Sequence, residues 1–177
     1  MLVFRAAAQI SPGAAASAQQ LLTVFETRAI PTARPTRGSA DLIITAYRTG
    51  RTVTIVSNNS SAAIAAYLAD HRLDGYIRAI VARDDHDPER MKPSPYRVRE
   101  AVSLLDAEHS ECVLVGDSTT DVLAGHLAGV AVIGYAEARQ GRGPRRRPGR
   151  SCDDRPRRDH HGPPRHPTRR VAEISRT

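Results

Sequence analysis

Residues 113–122, VLVGDSTTDV, set a short apolar run directly against an acidic, hydroxyl-rich turn. The β-branched run reads as a strand, and TTDVLAGHLAG, which follows, reads as a helix. Asp117 and Asp121 therefore stand four residues apart where the strand stops. A carboxylate at a strand end and a second one helical turn on form a compact set of hard oxygen ligands. Such a set suits Mg²⁺, which takes few protein carboxylates and keeps waters or phosphate oxygens. The same residues also suit a helix start, with Asp117 or Ser118 as N-cap and Asp121 favoured by the dipole in the first turn. Taken alone, the stretch leaves both readings open.

Working outward, the strand–helix pattern repeats. VAVIGY follows as a further strand. Upstream, GRTVTIVSNNS opens on a turn glycine, Gly50, and runs through Thr52–Val56 into polar residues. Ser60 or Ser61 can then cap a helix through AAIAAYLADH. YIRAIVAR reads as a strand, DDHDPERMKPSPY as a loop, and SPYRVREAVSLLDA as a helix with Pro95 in its first turn. Residues 39–49 and the Ala-rich residues 14–29 read as helices, separated by the Pro/Gly loop IPTARPTRGSA. This alternation predicts an α/β domain with a mostly parallel sheet. In such sheets ligands bind beyond the carboxyl ends of the strands. SNNS ends one strand there and GDSTTD another, so neighbouring strands would bring both clusters to one crevice.

Ser57, Asn58 and Asn59 place a hydroxyl and two amides before a helix N-terminus, an arrangement able to cradle phosphate. It is also an ordinary polar turn. Lys92 is the only lysine, against 25 arginines, and sits between Met91 and Pro93. A compact ammonium there can pair with a carboxylate and a phosphate together; a solvated loop lysine is the plainer alternative.

Order and spacing are more specific than any one motif. Lys92 follows Ser57 by 35 residues and precedes Asp117 by 25. This series resembles the haloacid dehalogenase-like (HAD) hydrolase superfamily: VTIVSNNS its second motif, MKPSPY its third, LVGDSTTDV its fourth. In appearance it is similar to the phosphoglycolate phosphatase-like and phosphoglucomutase-like members. The resemblance spans about residues 14–135. It implies a Rossmann-like core performing Mg²⁺-assisted phosphoryl transfer on a small phosphorylated metabolite. By position, Ser57 would bond the transferring phosphoryl group, helped by the backbone around Asn58. Lys92 would neutralise charge on nucleophile and phosphate. Asp117 would ligate Mg²⁺, and Asp121 would support the metal or its waters. Residues 1–35 resemble the end of a helical cap and its linker, and residues 36–135 the core.

One family feature is not in this sequence. The first motif, D-x-D after an N-terminal strand, supplies the attacking aspartate. Residues 1–56 hold one Asp, Asp41, and one Glu, Glu26, neither in such a setting. The expectation is a truncated member with an incomplete sheet and little phosphatase activity of its own. A non-catalytic phosphate- and metal-binding domain is the alternative.

Composition fits a soluble core built from small aliphatics: 40% hydrophobic but 4% aromatic residues. Two cysteines, Cys112 and Cys152, are too few for a disulfide framework, which predicts a reducing cytoplasm. The first twenty residues faintly resemble a leader, but Arg5 and Ser11–Gly13 break the apolar stretch. No run approaches a membrane span. The net charge of +7 is local: residues 1–135 hold 13 Lys+Arg and 14 Asp+Glu, whereas residues 136–177 hold 13 Arg and 5 acids. That Arg/Pro-rich tail is predicted to be disordered. It reads as a shifted reading frame in GC-rich DNA, an arginine-rich nucleic-acid arm or a solvated terminus. Its acids and its lack of aromatics weigh against nucleic acid.

Overall fold

The computed structural model describes residues 2–136 and 170–173. Two helices come first, α1 (Leu2–Ile10) and α2 (Pro12–Ala29). Ser11 caps α2 by accepting a hydrogen bond from the Ala14 amide at 3.1 Å, with Pro12 at the first helical position. Phe4 of α1 is buried against Ala15 and Met91. The helical pair is thereby anchored to the loop that carries Lys92.

The core then runs α3 (Ser39–Arg48), β1 (Val53–Val56), α4 (Ser61–Asp70), β2 (Ile77–Val81), α5 (Tyr96–Leu104), β3 (Cys112–Gly116), α6 (Thr119–Ala128) and β4 (Ala131–Gly134). All pairings in the sheet are parallel. Strand alternation divides the core into two layers. Val56, Cys112 and Leu114 pack with α5 and α6 on one face. Val53 and Ile55, with partly buried Val113 and Val115, join Ile43, Ala46, Ile64 and Leu68 of α3 and α4 on the other. Leu114 is wholly buried. β1 is buried along its length, whereas β3 is half-buried on alternate residues and β4 is mostly exposed.

The sheet order is β2-β1-β5-β3-β4, with β5 formed by Arg170–Glu173. The strands ending at Ser57 and Asp117 are not direct neighbours, and the slot between them is occupied. β5 pairs Val171 with Val53 and Val113, and Glu173 with Ile55 and Val115. The physical reason is backbone demand: two parallel strands with facing open edges accept any extended segment whose amides and carbonyls complete the ladder. The disorder predicted for residues 136–177 falls outside the described residues, apart from Ala136 and these four strand residues. The Arg-rich arm and Cys152 also lie outside them. Among the described residues no helix is long and apolar enough to cross a membrane.

Candidate active site

The loop leaving β1 is fixed from several sides. The Ser57 amide donates to the Val81 carbonyl at 3.0 Å, extending the β1–β2 ladder by one bond. Ser57 Oγ accepts from the Asn59 amide at 3.1 Å, and Ser60 caps α4. Ser57 is 3% exposed.

Asn58 turns its side chain onto the backbone of Lys92. Its Oδ1 accepts from the Lys92 amide at 2.8 Å, and its Nδ2 donates to the Lys92 carbonyl at 3.2 Å. This two-way clamp joins residues 34 apart in sequence. The Lys92 ammonium then donates to the Val56 carbonyl at 3.1 Å and pairs with Asp121 Oδ1 at 2.8 Å. It bridges the end of β1 to the start of α6 across the slot that β5 fills.

Asp121 completes the circuit. Its Oδ2 accepts from the Asp117 amide at 3.2 Å and the Ser118 amide at 3.1 Å. Ser118 Oγ in turn accepts from the Asp121 amide, closing a capping box at the start of α6. The capping and ion-pair roles thus use both Asp121 oxygens. Asn58, Lys92, Asp121 and the Asp117 amide form one hydrogen-bonded network, and Ser57 adjoins it in the chain between Val56 and Asn58, its hydroxyl bound to the Asn59 amide.

Gly116 makes this approach possible. A Cβ there would lie 2.5 Å from Asp121 Cβ and 2.9 Å from its Cγ. Only glycine lets the end of β3 run this close to the first turn of α6.

Burial of the pair sets its electrostatics. Burial pulls the Lys92 ammonium below its usual pKa range, against the opposing pull of Asp121 and, more weakly, Asp117. For Asp121 burial acts upward, but the Lys92 charge and hydrogen bonds from Lys92 and Ser118 outweigh it and hold the carboxyl below its ordinary value.

Among the described residues, no group of three or more His, Cys, Asp or Glu forms a metal cage. Both Asp121 oxygens are engaged, and Asp117 lies at the same turn. One carboxylate fits Mg²⁺, which fills its other positions with water and phosphate oxygens. A cavity of about 310 Å³ opens beside Asp117, floored by Ile55 and Val115, with Arg34 and Arg37 on its lining.

Sequence reading missed Arg83. This residue, two positions after β2, is wholly buried and bonds Glu26 and Gln19 of α2 and the Asn58 carbonyl. Two faint signals existed: an arginine following an apolar strand with no turn residue between, and the lone Glu of residues 1–56.

Residues 9–135 match the profile of the haloacid dehalogenase-like hydrolases. Pyrophosphatase PpaX of Halalkalibacterium halodurans is 35% identical over 104 residues, 58% of this chain and 47% of that protein. The plasmid-encoded phosphoglycolate phosphatase of Cupriavidus necator is 39% identical over 93 residues, 50% of this chain and 39% of that one. The chain thus spans less than half the length of these relatives. Among solved structures, CbbY of Rhodobacter sphaeroides in complex with phosphate superposes with a TM-score of 0.54 at 25% identity, covering 66% of this chain and 54% of that one. A HAD-superfamily hydrolase of Ehrlichia chaffeensis gives a TM-score of 0.52 at 28% identity, covering 56% and 48%.

Proposed function

The chain belongs to the haloacid dehalogenase-like hydrolase family, and on that premise we propose that its cluster binds the phosphoryl group of a small phosphomonoester together with Mg²⁺. The observation that supports this reading is the Lys92–Asp121 pair, whose ammonium also bonds the Val56 carbonyl beside Ser57 and whose carboxylate accepts from the Asp117 amide, on opposite sides of β5. Ser57, helped by the backbone around Asn58, takes the phosphoryl oxygens. Lys92 places a desolvated positive charge beside them, and Asp117 holds the ion. Bound Mg²⁺ would supply charge neutralisation on the phosphoryl oxygens. Asn58 acts on Lys92 through its backbone, and Asp121 orients Lys92 and the turn of Asp117.

Turnover by this chain alone is expected to be low. Covalent phosphoryl transfer needs a positioned nucleophile. The two acids of residues 1–56 are placed elsewhere: Glu26 is bound to Arg83 and the Ser60 amide, and Asp41 is exposed on α3. The relatives named for pyrophosphate and phosphoglycolate act on molecules with two anionic groups. Arg34 and Arg37, lining the cavity beside Asp117, suit a second anion on the substrate.

The test is calorimetry of inorganic phosphate with and without Mg²⁺, beside an assay of p-nitrophenyl phosphate hydrolysis. Mg²⁺-dependent phosphate binding, lost in Asp117→Ala, supports the reading. Phosphate binding indifferent to both Mg²⁺ and Asp117 would refute it.

A further inference from the structure

Three consecutive residues of the β1 loop are tied to one buried ion pair. Arg83 Nε donates to the Asn58 carbonyl at 2.8 Å, and the Arg83 amide donates to the Asn59 carbonyl at 2.8 Å. The Ser60 amide donates to Glu26 Oε2 at 2.9 Å, while Glu26 Oε1 accepts from the Arg83 guanidinium. Gln19 grips Arg83 twice, accepting from its guanidinium and donating Nε2 to its carbonyl at 2.6 Å. The Phe4 ring lies beneath the guanidinium, 5.5 Å from Cζ. The Arg83 side chain is 0% exposed and that of Glu26 14%.

Burying such a pair is a poor way to gain stability. Desolvating two charges costs several kcal/mol, and well-packed apolar residues of similar volume often do as well or better. What apolar residues cannot do is fix hydrogen-bonding directions. Here those directions converge on the loop whose Asn58 side chain clamps the backbone of Lys92. A rotation of the Asn58 peptide would carry the clamp, and with it the ammonium, away from Asp121.

We infer that Arg83 and Glu26 are positioning residues for the phosphate loop, and that they make its anion affinity depend on the docking of helix α2. This rests on the phosphate-site reading above and adds a control to it. Gln19 and Glu26 belong to α2, whereas Arg83, Asn58 and Lys92 belong to the core. Undocking α2 would remove Glu26 from the Ser60 amide and leave Arg83 without its counter-charge. The loop would then lose one of its three ties outright, and a second, from Arg83 Nε, would depend on a guanidinium no longer paired with Glu26. The helical layer is therefore a switch on the site.

The test uses the full chain, inorganic phosphate and Mg²⁺, well below the melting temperature. Glu26→Gln keeps an oxygen acceptor but removes the charge. It is expected to weaken phosphate binding about tenfold, the scale of one charge-assisted hydrogen bond, and to shift the amide resonances of Asn58–Ser60 and Lys92. The double variant Arg83→Leu/Glu26→Leu is expected to regain most of the lost Tm while phosphate affinity stays about tenfold down. A purely structural pair gives the opposite: a folded Glu26→Gln protein with unchanged affinity, or a double variant that regains Tm and affinity together. Either result overturns the inference and leaves the site standing. If the double variant does not fold, Glu26→Gln decides alone. An unsubstituted chain that binds no phosphate removes the proposed function itself, and this control with it.

Discussion

Replacing Gly116 by alanine would set a methyl carbon 2.5 Å from Asp121 Cβ, so either β3 or the first turn of α6 must shift. The expected cost is about 1–3 kcal/mol, the range for overpacking, read as a lowered midpoint in urea unfolding, with weakened phosphate binding beside it. Asp121 also carries a pH signature. Its carboxyl is held below its unfolded value, so its contribution is present above that value, 3.8, and is lost as pH falls toward the folded one. Asp121→Asn is expected to flatten the loss of stability below pH 4, measured by denaturant midpoints across an acid series. It should also lower the neutral-pH midpoint, because Lys92 would remain buried without its carboxylate. The residue types of this site were legible because polar groups placed at strand ends are out of keeping with the apolar runs before them. What each side chain does was not. Asn58 holds a backbone rather than facing a ligand, and both Asp121 oxygens are engaged. The Asn58 clamp and the Lys92–Asp121 pair join segments 34 and 29 residues apart, which no local pattern encodes, whereas the capping of α6 by Ser118, with Asp121 in its first turn, was legible in the sequence.

At the scale of elements, strands β1 to β4 and helices α2 to α6 lie where periodicity and punctuation predict them, with ends displaced by a few residues. Hydroxyl caps account for two of those starts, Ser60 for α4 and Ser118 for α6. Ser118→Ala is expected to cost about 1 kcal/mol, visible as a fall in Tm, and to loosen the Asp117 turn. Two elements escaped sequence reading. Helix α1 is short and Ala-rich, and its buried Phe4 gains meaning only against Met91 of a distant loop. Strand β5 is four residues long within an arginine-rich stretch, too short for alternation to register. Its position comes from the open ladders on either side, a property of its neighbours and not of its own side chains.

For the whole molecule, the central place of β5 means that, among the described residues, the hydrogen-bonded ladders of the two halves of the sheet, β2-β1 and β3-β4, are joined only through Arg170–Glu173. Ala172→Pro would remove a donor from the middle of the ladder. It is expected to lower Tm more than proline at the exposed edge strand β4, and to raise binding of a dye that reports exposed apolar surface. Equal effects at the two positions would show that β5 does not hold the halves together. The arrangement also bears on biosynthesis. The strand that joins the halves follows both flanking strands in the chain and so leaves the ribosome after them. Until it emerges each half presents a bare edge, so the nascent polypeptide is most prone to sticking to other chains in that interval.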